Sequence, residues 1–419
     1  MASTFSQLEK TILSLGIVDT HAHFKDRSSL EPPVTAYTLF NYSGCLRQPW
    51  VSAGALSRQE YRQAKRFLDW PSMSEAIDKI KTTAFYRILL DGLRSLYEFD
   101  FDELDQSSFE ELGRRMTQAH QDPGWYTTVL REKAKLEVIC QDTRSDVDRS
   151  LFTPVARLDS YVMFGRKDWG DRVVAKHGSE RTANVEGLTA CLKEDFDEAL
   201  SKGAAAIKSN DTWARPLVYD EVSEAAAEDA LAVCNAGEPD AEAVKTLGDF
   251  MMNRTCALCA ENDIPLQIHT GPAMGTDHVI QYGNPLNLNS LMLRNPNTRF
   301  VLFHAGGPFV RECASLAVQF PNVYLDLCGV LYRESLYRIL DDWLEMVPHG
   351  KLMWGTDVNQ VEEAYAISLN FRNVLTRLLT DRIESGYLSA ASAEAFARGI
   401  LADNAKRILR LEGASGERE

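Results

Sequence analysis

From about residue 135 onward, short apolar runs alternate with longer stretches whose apolar residues recur at helical spacing. The runs are Leu136 to Cys140, Val155 to Phe164, Ala204 to Lys208, Pro265 to His269, Phe300 to His304, Val323 to Leu327 and Leu352 to Gly355, with one more near the start, Gly16 to Thr20. Nearly all are continuous rather than alternating, the pattern of parallel strands covered by helices on one face and packed on the other. Eight such strands with intervening helices predict a (β/α)8 TIM barrel of the α/β class.

The spacing breaks once. Roughly 110 residues separate the first run from Leu136, far more than one crossover helix needs. Helical patterns over Ser74 to Leu96 and Phe101 to His120, with Trp50, Trp70, Tyr86, Tyr97 and Trp125, make this stretch too apolar for a linker. It is expected to be a helical insertion, about 25–134, rising from the first βα loop over the catalytic face of a single barrel domain spanning 1–419. A helical subdomain on the barrel's side is the alternative. Asn235 to Asp240 is a turn-rich break between two helices.

Charge narrows the function classes. Lys and Arg total 45 against 60 Asp and Glu, a net charge of −15 without a long basic run, so neither a nucleic-acid surface nor an anionic membrane is an expected partner. The partner is expected to be a small-molecule substrate, with homo-oligomerisation open. The N-terminus lacks a basic stretch followed by an apolar one, and no window reaches the ~18 apolar residues of a spanning helix. The eight scattered cysteines suit a reduced, cytoplasmic protein. Cys256 and Cys259 form a CxxC, but they lie in a helical pattern and are read as core.

The histidines carry the chemistry. Of eight, four fall at or just past predicted strand ends: His21 and His23 after the first, His269 after the fifth and His304 after the sixth. Lys208 ends the fourth strand and Asp357 follows the eighth. In a parallel barrel all these ends meet on one face. His21 and His23, two apart, share a side of an extended strand and can grip one divalent ion with His269 and Asp357. Such an ion brings the pKa of a bound water towards ~7, and Asp357 can shuttle the water's proton to a leaving group. His120, His177 and His349 are read as solvated or capping, and His278 as a residue to contact substrate.

The order HxH, Lys, His, His, Asp resembles the amidohydrolase superfamily of metal-dependent barrel hydrolases. Gln267-Ile268-His269-Thr270-Gly271, His304-Ala305-Gly306-Gly307-Pro308, Asn322-Val323-Tyr324-Leu325-Asp326, Gly355-Thr356-Asp357 and Asn404-Ala405-Lys406-Arg407 resemble its amidohydrolase-related branch. The resemblance implies zinc, with manganese or iron as alternatives, held as one or two ions by His21, His23, Lys208, His269, His304 and Asp357. It implies that a carboxylated Lys208 bridges two ions, and a buried lysine's lowered pKa suits carbamate formation. Otherwise Lys208 pairs with a substrate carboxylate, and in a one-ion site His304 polarises the scissile carbonyl.

The activity expected is hydrolysis of an amide, lactone or related C–N or C–O bond, with Asp357 and His304 catalytic. The branch also holds nonoxidative decarboxylases and is related to uronate isomerases, and a catalytically silent barrel acting in assembly is a further reading. Arg157 and Asp159, charged residues in an apolar run, are expected to face the mouth or pair with each other. Trp213 and Arg215 are candidates for substrate contact, with an exposed salt bridge as the other reading of Arg215. The resembling branch has a tyrosine and arginine adjacent near this point, whereas here Trp213 and Arg215 are separated.

Overall fold

Eight parallel strands pair in the order β1 to β8 and curl into a nearly closed barrel. They are β1 Ile17–Ala22, β2 Leu136–Thr143, β3 Thr153–Arg157, β4 Ala206–Ser209, β5 Leu266–Ile268, β6 Phe300–Leu302, β7 Val323–Asp326 and β8 Leu352–Met353. The computed structural model describes residues 4–24, 34–63, 67–143, 147–237, 239–272 and 278–411. Alternation along the strands divides the buried residues in two. Ile17, Leu266, Ile268, Phe300, Leu302, Val323 and Leu325 face the helices. Val18, Cys140, Val155, Ala206, Val301, Phe303, Cys328 and Met353 fill the interior. Ala402, Ala405 and Ile408 of the C-terminal segment pack on that inner cluster. Among the described residues no helix is long and apolar enough to cross a membrane.

Two strands differ from expectation by more than two residues at an end. β2 runs to Thr143 rather than Cys140, which extends the alternation Val138, Cys140, Asp142 and lifts Asp142 to the strand end. β3 stops at Arg157, and Asp159–Val162 is already helical although the apolar run continues to Phe164. A continuous apolar run does not distinguish a buried strand from a buried helix. The break at Asn235 to Asp240 does separate two helices, Glu224–Asn235 and Ala241–Glu261, and Cys256 and Cys259 are buried, free thiols in the second.

Between β1 and β2 the described residues form helices Ala36–Tyr42, Gly44–Ser52, Arg58–Gln63, Trp70–Ile80, Ala84–Tyr97 and Gln106–Ala119; residues 25–33 and 64–66 of the expected insertion lie outside them. The pattern expected over Ser74 to Leu96 is two helices, because Thr83 is extended (φ −75°, ψ 148°) and begins the second. Asp69 and Asp105 cap their helices through backbone N–H groups of Ser72 and Ser108.

These helices grip the start of Val361–Glu384, the helix after β8. Asn359 Nδ2 donates to Tyr42 O at 3.2 Å and Gln360 Nε2 to Leu39 O at 3.1 Å. Glu362 Oε1 accepts from Tyr97 Oη at 2.8 Å and lies 2.7 Å from His120 Nε2. His120, expected in solvent or at a cap, is the C-cap of Gln106–Ala119, and its side chain is tied to a buried carboxylate. Glu363 Oε1 accepts from Ser43 Oγ and from Cys45 N at 3.2 Å.

Burial dominates at Glu363 and, with the neighbouring Glu362 charge, raises its pKa from 4.5 to about 7. A carboxyl whose folded pKa lies above its unfolded value holds more protons when folded, so its contribution falls as pH rises from 4.5 to 7. Glu363→Gln keeps an acceptor for Ser43 and Cys45 but cannot ionise. The variant is expected to be more stable than wild type at pH 8, relative to pH 5, by on the order of 3 kcal/mol. Urea unfolding at the two pH values checks this, and an equal difference at both would refute it.

Candidate metal centre

β1 and β8 meet where the first ligand pair and the last carboxylate lie. Thr20 N donates to Trp354 O at 3.4 Å, Asp357 N to His21 O at 2.8 Å and His23 N to Val358 O at 2.8 Å. Asp19 braces the same seam from within, accepting Thr356 N at 2.8 Å and Thr356 Oγ1 at 2.6 Å. Thr20 Oγ1 reaches across to Asp326 Oδ2 at 2.5 Å. Gly355 permits this approach, because a Cβ there would lie 2.7 Å from Thr20 Oγ1 and 2.8 Å from His21 N.

The seam brings nitrogen and oxygen donors to one centre. Asp357 Oδ1 is 3.4 Å from His21 Nε2 and 3.3 Å from His23 Nε2, and its Oδ2 is 3.6 Å from His304 Nδ1. His304 Nε2 stands 3.0 Å from His269 Nδ1. Lys208 is fully buried, with Nζ 3.6 Å from the centroid of the Phe303 ring, which in turn packs 4.8 Å from the His21 ring. The six side chains singled out at strand ends thus gather at the C-terminal mouth. His304 and Asp357 hold left-handed backbone, with φ of 62° and 56°. Such strain in non-glycine residues persists only where the surroundings enforce it, and it gathers at functional sites.

Burial sets the charge states. It lowers His21 and His269 well below 6.5, helped by the Lys208 charge at His21 and by His304 at His269. It also lowers His304 to about 4 and Lys208 to about 8. At His23 burial acts in the same direction, but the Asp357 hydrogen bond and the Asp142 charge outweigh it and raise the pKa. Burial opposes ionisation of Asp357, yet His23 and His304 hold it below the ordinary carboxylate range.

The donor chemistry fits a divalent cation. His304 Nδ1 lies 3.0 Å from Cys328 O, and His269 Nε2 lies 3.4 Å from Pro272 O. Carbonyls only accept, so the tautomers that bond both of them carry their protons on those nitrogens. In those tautomers the nitrogens facing each other at 3.0 Å both present lone pairs, an arrangement that a cation stabilises. His21 Nδ1 is buried without a hydrogen-bond partner among the described residues. Ligand atoms of His21, His304 and Asp357 lie within 4.8 Å of one another, as do those of His21, His23 and Asp142.

Asp142 is absent from the residues expected at the site, because the apolar run ends at Cys140, three residues before the end of β2. The period-two alternation from Val138 was the available signal. Its carboxylate is engaged by Arg157, with Nε to Oδ1 at 2.5 Å and Nη2 to Oδ2 at 2.7 Å. Asn210, with its amide oxygen towards Arg157, accepts Nη1 at 3.0 Å and Nη2 at 2.9 Å. Arg157 therefore pairs with Asp142 and not with Asp159. At the rim, Trp213 is half exposed, its ring 5.0 Å from that of His278 and 6.5 Å from that of His269. Arg215 makes the salt bridge expected of it, but buried rather than exposed. It is buried, ion-paired with Asp249 and bonded to Val218 O at 2.8 Å, which commits its guanidinium to the fold. His177 is likewise paired, with Asp195 Oδ1 at 2.8 Å and Tyr161 Oη at 3.2 Å.

A (β/α)8 barrel with histidine and carboxylate donors at its C-terminal mouth defines the class of metal-dependent barrel enzymes. The family model described as Amidohydrolase matches residues 175–411, more than half of the chain, and the chain belongs to that family. A 176-residue stretch is 33% identical to Protein fluG of Emericella nidulans and covers 40% of this chain. The chain spans only about a fifth of that relative, with 20% of it covered. The fold is similar to uronate isomerase of Thermotoga maritima (TM-score 0.81, 16% identity, 97% of both chains) and to glucuronate isomerase of Caulobacter crescentus (0.80, 14%, 98% of this chain and 94% of that one). It is also similar to a Lactobacillus casei protein described as a metal-dependent hydrolase (0.71, 19%, 97% and 98%). At these identities the structural likeness bears on the fold alone.

Gly329 tests the centre's geometry. It has φ +70°, and a Cβ there would lie 2.6 Å from Asp357 Oδ2 and 3.2 Å from His304 Nδ1. Gly329→Ala should displace both donors and weaken divalent-metal binding by about 10- to 100-fold, the scale seen for disturbed ligand support. The far-ultraviolet circular dichroism should persist. Unchanged zinc affinity by competition with a chelating dye would refute this placement.

Proposed function

We propose that the protein is a metal-dependent hydrolase that cleaves an amide, lactone or related C–N or C–O bond in a small molecule with an anionic group. The observation that carries this reading is the buried Lys208 beside the facing ring nitrogens of His269 and His304. Those groups add to the His21, His23 and Asp357 set what a second ion needs. A bound divalent ion, zinc or alternatively manganese or iron, would supply Lewis-acid polarisation and lower the pKa of a water.

The chain's own residues supply the rest. His21, His23 and Asp357 would hold one ion, and His269, His304 and a carboxylated Lys208 would hold a second. Asp357, kept ionised by its histidine neighbours, receives the attacking water's proton and returns it to the leaving group. Arg157, fixed by Asp142 and Asn210, keeps an N–H for the substrate's anionic end. Trp213 and His278 close over the rim. In a one-ion site Lys208 would pair with the substrate anion and His304 would polarise the carbonyl.

A second reading is aldose–ketose isomerisation. It is supported by the near-complete overlap of the fold with two uronate isomerases. A screen of the zinc-loaded protein separates the two. N-acyl amino acids and lactones would give ring-opened or deacylated products under the first reading, whereas D-glucuronate would give a ketose under the second. Carbon dioxide release from aromatic acids would instead mark a decarboxylase.

Lys208→Ala gives the sharper measurement. Two ions per chain in wild type should fall to one, with activity reduced about 100-fold or more. Acetate or formate should restore part of both by replacing the missing carboxylate. One ion in both proteins, with only KM raised in the variant, would defeat the two-ion arrangement.

A further inference from the structure

Lys208 has a neighbour that no role above employs. Gln267 on β5 pairs directly in register with Lys208 on β4. Adjacent strands lie about 4.8 Å apart, and registered side chains in a parallel pair rise from the same face. Leu266 and Ile268 flank Gln267 and face the outer core, so the Gln267 side chain enters the barrel interior beside Lys208. Both residues are 0% exposed. Neither Lys208 Nζ nor either amide atom of Gln267 has a hydrogen-bond partner among the described residues.

A buried amide left unbonded at both ends is costly, and an apolar side chain would fill the position without that cost. An ammonium on Lys208 could donate to Gln267 Oε1, but it offers nothing to Nε2. The Phe303 ring against Nζ accepts no conventional hydrogen bond from Gln267 either. An adduct that brings oxygen acceptors to Nζ while keeping one N–H satisfies both ends of the amide.

We propose that Gln267 is a positioning residue for a carboxylated Lys208, its Nε2–H donating to a carbamate oxygen and its Oε1 accepting the carbamate N–H. The neutral Nζ attacks the carbon of carbon dioxide and an N–C bond forms. One C=O electron pair moves onto oxygen, and a proton leaves nitrogen for solvent. The resulting anion is shut from water, so a fixed amide donor beside it favours the adduct over free amine and carbon dioxide. This inference rests on the carbamate reading of Lys208 given above.

The test uses the zinc-loaded 419-residue chain equilibrated with 13C-bicarbonate. Wild type should show a carbamate 13C resonance that Lys208→Ala lacks. Gln267→Met, similar in volume but without the amide, should need about tenfold more bicarbonate for half-maximal signal, a loss of one hydrogen bond to a charged group. Gln267→Glu, nearly isosteric but anionic, should reduce the signal further and decides the matter if the methionine variant does not fold. A wild-type resonance with unchanged bicarbonate dependence in whichever variant folds would overturn the role of Gln267 and leave the hydrolase reading standing. No resonance in wild type, with one ion per chain, would overturn the carbamate and this inference together.

Discussion

The seam between the first and last strands is the constraint on which the rest of the site depends. His21 and Asp357 are separated by nearly the whole barrel in sequence, yet Asp357 N bonds to His21 O at 2.8 Å. That bond fixes a carboxylate against both histidines of the HxH pair. Asp19 secures it from the interior, and burial raises Asp19 to about 7 because Thr356 and His21 only partly offset the cost of its charge. Gly355 lets β1 come this close, and Gly329 leaves room for the Asp357 carboxylate and the His304 ring.

Around that seam the protein gathers titratable groups that water would keep apart in charge. In a chain of net charge −15, the mouth holds three histidines that burial keeps neutral, His21, His269 and His304, a lysine brought down to about 8 and an arginine already neutralised by Asp142. Nitrogen lone pairs and a single ionised carboxylate are left facing inward. A divalent cation is the species such a lining suits, since imidazole and carboxylate ligands bind it in their deprotonated forms.

The helices between β1 and β2 matter because of where they hold on. Their polar bonds go to Asn359, Gln360, Glu362 and Glu363, the residues immediately after Asp357. The loop bearing the strained Asp357 is therefore held by β1 on one side and by these helices on the other. Breaking a buried carboxylate from its partners leaves an uncompensated group, so this junction resists opening.

The barrel was legible in the sequence because strands buried on both faces must be continuously apolar, and eight such runs in alternation with helices admit few architectures. The six strand-end residues were legible for the same reason, since a parallel barrel sends every C-terminal end to one face. What stayed hidden was pairing. Nothing local distinguishes Arg157 bound to Asp142 from Arg157 bound to Asp159, or shows Arg215 sunk against Asp249. Nor does periodicity reveal that the run after Arg157 turns helical, or that His120 meets Glu362. Sequence alone determined which faces are apolar and which residue types stand at strand ends. Tertiary structure alone decided which charges meet and how close, because those contacts join residues far apart along the chain, where local sequence exerts no preference and only packing brings partners within range.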